Sequence, residues 1–190
     1  MNSFLEKFKN FGRIYINKYS FKNCPKNINE DRKFEISGDN ENIFTKTGNG
    51  KVWMGTICEY PLNQSIEEHI WKIKILKGSY CIMIGIATND FDFNRASYET
   101  KNNFGWYYHW GYGGLYSGPP HNYQCKGTNL KSQKNEVTVV MNMKKRSLKF
   151  IIEGEDKGDS FIDIPLDKPI FPSVLLCDKD DSVEIIEINN

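Results

Sequence analysis

The residues with catalytic or metal-ligating chemistry are few: three histidines (His69, His109, His121) and five cysteines (Cys24, Cys58, Cys81, Cys125, Cys177). His121 and Cys125 stand four apart, a spacing at which an imidazole and a thiolate can share a zinc ion. Nothing nearby supplies a third and fourth ligand. Cys125 with His109 or His121 could also form a nucleophile and base, but no orienting carboxylate is identifiable. Asp178, Asp180 and Asp181 could ligate Ca²⁺, yet the position where an EF-hand loop carries its bidentate Glu falls on Asn189. A solvated strand-to-strand loop is the expectation there. Gly111-Tyr112-Gly113-Gly114 departs from G-x-G-x-x-G, because the sixth position is Tyr116 and no helix pattern follows to present its N-terminus to a phosphate. It reads as a flexible aromatic loop. G-x-S-x-G, P-loop and H-E-x-x-H patterns are absent from the sequence. Neither catalysis nor a cofactor or metal is expected.

The chain has 190 residues, and 25 Lys+Arg against 24 Asp+Glu leave a net charge of +1, which excludes the strong field that nucleic-acid binding uses. Apolar residues at 39% and aromatics at 14% are enough for a real core and exclude a disordered chain. No apolar run approaches the roughly 18 residues that span a bilayer, and Met1 to Phe11 is not a signal peptide. A soluble, cytoplasmic monomer with reduced thiols is expected, since the cysteines are odd in number and lack a C-x-x-C pair.

Charge is uneven along the chain. Residues 1–33 hold 8 basic and 3 acidic side chains, and residues 153–190 hold 3 and 11. Ser3-Phe4-Leu5-Glu6 fits a capping box, and Phe4, Phe8 and Phe11 make one helical stripe, predicting a short amphipathic helix from Phe4 to Phe11. That arm, residues 1–32, either docks on the main domain, helped by the acidic last segment, or touches a membrane or partner.

From Lys33 onward, residues 33–190, the period is two. Trp71, Ile73 and Ile75 share a face opposite Lys72 and Lys74, and Val137, Val139, Met141 and Met143 repeat the pattern. Tyr80 to Ala87 is apolar on both faces, as in a strand covered on both sides. Leu148 to Ile152, Ile170 to Cys177 and Val183 to Ile188 are further strands, punctuated by turns such as Asn49-Gly50, Lys77-Gly78 and Glu153-Gly154. Such spacing without later helices predicts an all-β, antiparallel two-sheet sandwich.

Specific segments sharpen this. Glu68-His69-Ile70-Trp71-Lys72-Ile73 and Ile82-Met83-Ile84-Gly85-Ile86-Ala87-Thr88 resemble the H-x-W-x-[VI] and v-G-[VI]-A-T strands of the SPRY domain. In family order follow Phe104-Gly105-Trp106, Leu115-Tyr116-Ser117-Gly118, Val137 to Met143, Leu148 to Ile151, Glu153-Gly154, Gly158 with Phe161, and Ile170-Phe171-Pro172-Ser173-Val174. The resemblance covers about residues 33 to 188. Asn142 and Glu153 stand where the family commonly has Asp and Asn. What it implies is a bent, concanavalin-like jelly-roll sandwich that binds a protein or short peptide through loops at one edge, without catalysis.

In proteins similar to the SPRY and SOCS-box group, the peptide-binding positions land by alignment on Lys46, Thr47, Thr88, Tyr98, Asp178 and Lys179. That group's Val-Trp-Gly tryptophan is missing here, so its peptide specificity does not carry over, and no SOCS-box segment follows Asn190. Aromatic anchors with a few charges are what peptide capture by a rigid sandwich requires. Asp90, Arg95, Tyr98, Trp110 and Tyr112 supply them in the following loops, with Trp71 and Trp106 expected in the core and Trp110 either core or rim. The three loops at 46–47, 88–98 and 178–179 are expected to converge. The alternative is a sugar-binding lectin-like sandwich, in which such aromatics stack on sugar rings.

Overall fold

The computed structural model describes residues 19–21, 30–93, 104–119, 121, 124–127 and 135–188. The helix expected at Phe4–Phe11 lies outside them, and the helical turn present among them is a short 3-10 turn, Glu30–Arg32. The rest is strand and turn in two antiparallel sheets. One has the order β1 (Phe34–Ser37), β2 (Ile43–Lys46), β13 (Ser182–Glu187), β4 (Glu68–Lys77), β9 (Glu136–Asn142), β10 (Ser147–Ile152) and β11 (Glu155–Phe161). The other runs β3 (Met54–Ile57), β12 (Ile170–Leu176), β5 (Ile82–Thr88), β6 (Gly105–His109), β7 (Gly114–Ser117) and β8 (Gln124–Gly127).

Side-chain alternation decides which face of each strand is inside. Trp71 lies opposite Val139 and Ile73 opposite Val137 across β4 and β9, and all four are buried. The facing sheet contributes Ile82, Ile84, Ile86, Trp106, Tyr108, Val174 and Leu176 to the same core. Each such side chain contributes about 1.5–3 kcal/mol through its removal from water. Tyr19 and Phe21 join this core, with the Phe21 ring 6.0 Å from that of Phe44 and the Tyr19 ring 6.0 Å from that of Trp71. Glu153 and Gly154, at φ 58° and 82°, make the tight β10–β11 turn that their types suggested.

β5, β6 and β12 are buried on both faces. Trp106, Tyr108 and Trp110 do point into the main core, with Tyr107 and His109 on the opposite side. That opposite side is not open. Phe91 and Phe93, following β5, fold back over it, with the Phe91 ring 5.4 Å from that of Tyr107 and the Phe93 carbonyl accepting the Gly55 amide at 3.0 Å. Met83, Ala87, Tyr107, Phe171 and Leu175 form a second cluster beneath them. The buried Tyr107 hydroxyl is satisfied by Ser173 Oγ at 2.8 Å, as a phenol taken out of water requires.

The Gly111–Gly114 stretch is also not a flexible loop. It closes the β6–β7 hairpin, with the Gly113 amide on the His109 carbonyl at 2.9 Å and Gly114 paired to His109 in the ladder. Gly113, at φ 68°, takes the left-handed conformation that this turn needs.

Candidate functional site

The registers sort the loops between the two ends of the sandwich. Leu176 pairs with both Met54 and Ile82, Met83 pairs with His109, and Ser182 pairs with Thr45 and Lys77. The connections 47–53, 78–81, 110–113 and 177–181 therefore gather at one end. Thr88 pairs with Ile170, at the other end of β12. Six residue steps of about 3.3 Å put it about 20 Å from Leu176.

Two buried charges frame the first end. Lys46, the last residue of β2, is fully buried, and its ammonium donates to the carbonyls of Gly48 at 3.1 Å and Gly50 at 2.5 Å. Burial pulls its pKa down, against the opposing influence of Cys177, Asp181 and Asp178. The Asp181 carboxylate, likewise buried, accepts the Ser79 amide at 2.6 Å, the Ser79 hydroxyl at 3.1 Å and the Asp178 amide at 3.0 Å. Burial pushes its pKa up in spite of those bonds. The backbone closes the frame: the Lys46 amide donates to the Asp181 carbonyl at 2.9 Å and the Asp180 amide to the Lys46 carbonyl at 2.7 Å.

Above this frame the surface is aromatic and charged. Tyr80 is 71% exposed and Tyr112 is 59% exposed, on adjacent turns, because the Tyr80 backbone lies directly against Gly111. Lys179 donates to the Asn49 side chain at 2.7 Å, Lys51 lies 3.7 Å from Asp178, and Lys77 pairs with Asp180 at 2.9 Å. Beside them His109 is buried among Trp53, Tyr112 and Tyr116, with ring centroids at 5.8, 4.7 and 5.6 Å. Its Nδ1 has no hydrogen-bond partner among the described residues, and burial lowers its pKa to about 4, so the ring is neutral at pH 7. Such an end offers preset contact surface: aromatic area and mixed charge on loops held from below.

The residues singled out in the sequence divide accordingly. Thr47, Tyr112, Asp178 and Lys179 meet at this end. Lys46 is there too, but as the buried tie of its loop rather than a surface contact. Trp110 is in the main core, against Gly78 and so below the surface that Tyr80 and Tyr112 form. Thr88 and Asp90 lie at the opposite end, so these two do not converge with the other loops. There the Thr88 hydroxyl donates to Asp90, whose carboxylate also pairs with Lys168 at 2.5 Å and is held below its ordinary pKa chiefly by that lysine. Arg95 and Tyr98 lie outside the described residues.

A sequence model of the SPRY domain matches residues 68–189. The chain belongs to the SPRY domain family. Among solved structures, the SPRY chain is similar to the SPRY domain of human HERC1, at 18% identity and a TM-score of 0.67, covering 83% of this chain and 94% of that one. A human SPRY domain gives 15% identity and a TM-score of 0.62, with 80% and 94% covered. The TRIM65 PSpry domain gives 9% identity and a TM-score of 0.61, with 95% and 99% covered. Identities this low show the shared fold. No curated protein sequence matches the chain. SPRY domains are commonly protein-interaction modules.

The sequence reading missed Tyr80, Lys51 and Trp53 in this SPRY domain. The apolar run puts Tyr80 at the start of the β5 strand, whereas the strand begins at Ile82. Its position just after the Lys77-Gly78 turn was the available signal, since turn-flanking aromatics stand at strand ends where loops gather.

Proposed function

We propose that this SPRY domain is a non-catalytic protein-binding module that takes a short peptide or a partner's loop at the end formed by residues 47–53, 78–81, 110–113 and 177–181. The observation carrying this reading is the pair of exposed tyrosines, Tyr80 and Tyr112, on turns fixed by the buried Asp181 and by the contact at Gly111. Aromatic rings with two side-chain torsions contribute contact area at low entropic cost, and a prearranged base avoids the cost of ordering loops on binding. Thr47, Lys51, Asp178 and Lys179 lie on connections at the same end and would set the register of the ligand through polar contacts. The sequence candidates Arg95 and Tyr98, outside the described residues, remain part of this proposal. For the lectin alternative the acidic loop would have to ligate a sugar or Ca²⁺, but Asp178, Asp180 and Asp181 are engaged with Lys51, Lys77 and Ser79.

The test is a peptide-display selection run beside a glycan array on the full chain, followed by the Tyr80→Ala/Tyr112→Ala double variant. Selected peptides should lose at least tenfold in affinity while the melting temperature stays unchanged, because exposed side chains contribute little to the core. Full retention of peptide binding by the folded double variant would move the site elsewhere, and glycan capture without peptide capture would favour the lectin reading.

A further inference from the structure

Continuing the register of the β12–β5 ladder one step past its last pair, Leu176–Ile82, brings Cys177 opposite Cys81. The two thiols are near enough for each to influence the other's ionisation, and both are free. Directly opposed residues of an antiparallel ladder have Cα atoms about 4.5–5.5 Å apart, inside the range of roughly 4.4–6.8 Å that a disulfide spans. Alternation from Leu175 and Met83, which belong to the outer cluster, puts both sulfurs on the outer side of the six-stranded sheet. Cys81 is partly exposed and Cys177 is buried. The pair adjoins both connections that Asp181 ties together, 78–81 and 177–181.

We propose that Cys81 and Cys177 are a dithiol–disulfide site, closed by exchange with a small-molecule disulfide of the glutathione type, which staples β5 to β12 at the base of the loop-bearing end. This goes beyond the binding reading and does not depend on it. In the first step the Cys81 thiolate, the more accessible of the two, attacks one sulfur of glutathione disulfide. A Cys81–glutathione bond forms, the glutathione S–S bond breaks, and one glutathione leaves and takes up a proton. Cys177 then loses its proton and attacks the Cys81 sulfur, expelling the second glutathione. Two protein thiols are oxidised by two electrons, and one glutathione disulfide is reduced to two thiols.

The surroundings set the rate. Burial, aided by Asp178 and Asp181, raises both thiols, Cys177 to about 12. The reactive thiolate is therefore scarce at neutral pH, and closure accelerates with pH by about tenfold per unit. A thiol of such high pKa is also a poor leaving group, so the closed form reopens slowly.

The experiment incubates the full chain with glutathione disulfide at pH 8, blocks remaining thiols with N-ethylmaleimide, and maps peptides without reduction. Expected are a Cys81–Cys177 linked peptide, the loss of these two alkylation sites, and reversal by dithiothreitol. Cys177→Ser should stop at one glutathione on Cys81, and Cys81→Ser should leave Cys177 at least tenfold less modified. Cys58, buried at 1% exposure with its thiol pushed far up, reports unfolding if it becomes alkylated. The inference is overturned by the absence of the linked peptide, by preferential linkage of either residue to Cys24 or Cys125, or by linkage that appears only together with Cys58 alkylation.

Discussion

Asp181 and Ser79 are 102 residues apart in sequence and joined by two hydrogen bonds, the Ser79 amide at 2.6 Å and its hydroxyl at 3.1 Å to the two oxygens of one carboxylate. This joint fastens the β4–β5 connection to the β12–β13 connection. Asp181→Ala would leave the Ser79 and Asp178 amides without their acceptor and remove a negative charge near the buried Lys46. A loss of about 3 kcal/mol is expected, read from the urea midpoint at pH 7. Lys77→Ala, which removes an exposed ion pair from the same loop, should leave the midpoint unmoved.

Gly111 is the second joint. A Cβ there would fall 2.1 Å from the Tyr80 carbonyl oxygen, and a backbone atom cannot swing aside as a side-chain tip can. Gly111→Ala should push the 78–81 and 110–113 turns apart and cost about 1–3 kcal/mol. Thermal melting measures the cost. Amide shifts confined to these two turns would locate it, and shifts spread over the whole protein would contradict the contact.

Trp71 and Trp106 are both fully buried, and in both the indole Nε1 lacks a hydrogen-bond partner among the described residues. Truncation to Ala should cost about 3–5 kcal/mol. Replacement by Phe keeps much of the apolar volume and removes an unsatisfied donor, so less than half that loss is expected. Equal losses for the Phe and Ala variants in chemical denaturation would show that those N–H groups are satisfied in solution.

His109 makes stability sensitive to acid. Its ordinary pKa of 6.5 is lowered to about 4 in the folded protein by burial. Below pH 6.5 the unfolded chain therefore binds a proton that the folded one does not, and stability is lost as pH falls toward 4. Two to three pKa units correspond to on the order of 3 kcal/mol. His69, lowered by burial as well, acts in the same direction. The difference in unfolding free energy between His109→Phe and the unaltered chain should change across this window. A constant difference from pH 7 to 4 would mean that His109 titrates alike folded and unfolded.

The strands and their inward faces were written in local sequence. A period of two in Trp71, Ile73 and Ile75, or in Val137, Val139 and Met141, specifies which side of the pleat is apolar whatever the partner strand is. Glu153-Gly154 likewise carries its own turn. These are short-range properties, and the sandwich class followed from them, while the family resemblance rested on strand motifs such as His69-Ile70-Trp71-Lys72-Ile73 and Gly85-Ile86-Ala87-Thr88. What covered the second face of β6 did not follow. Alternation puts Tyr107 and His109 on the face opposite Trp106, but nothing in their own neighbourhood says that Phe91 and Phe93 fold back over Tyr107 or that Trp53, Tyr112 and Tyr116 enclose His109. The same limit separated the candidate residues. Lys46 and Thr88 both looked like loop-edge positions, but one is a buried ammonium held by the Gly48 and Gly50 carbonyls, and the other belongs to the far end of β12. Which loops share an end depends on strand order and register, set when remote strands such as β2, β13 and β4 pair to bury their apolar faces together. Only that tertiary pairing could bring Asp181 to Ser79, Lys179 to Asn49 and Cys177 to Cys81.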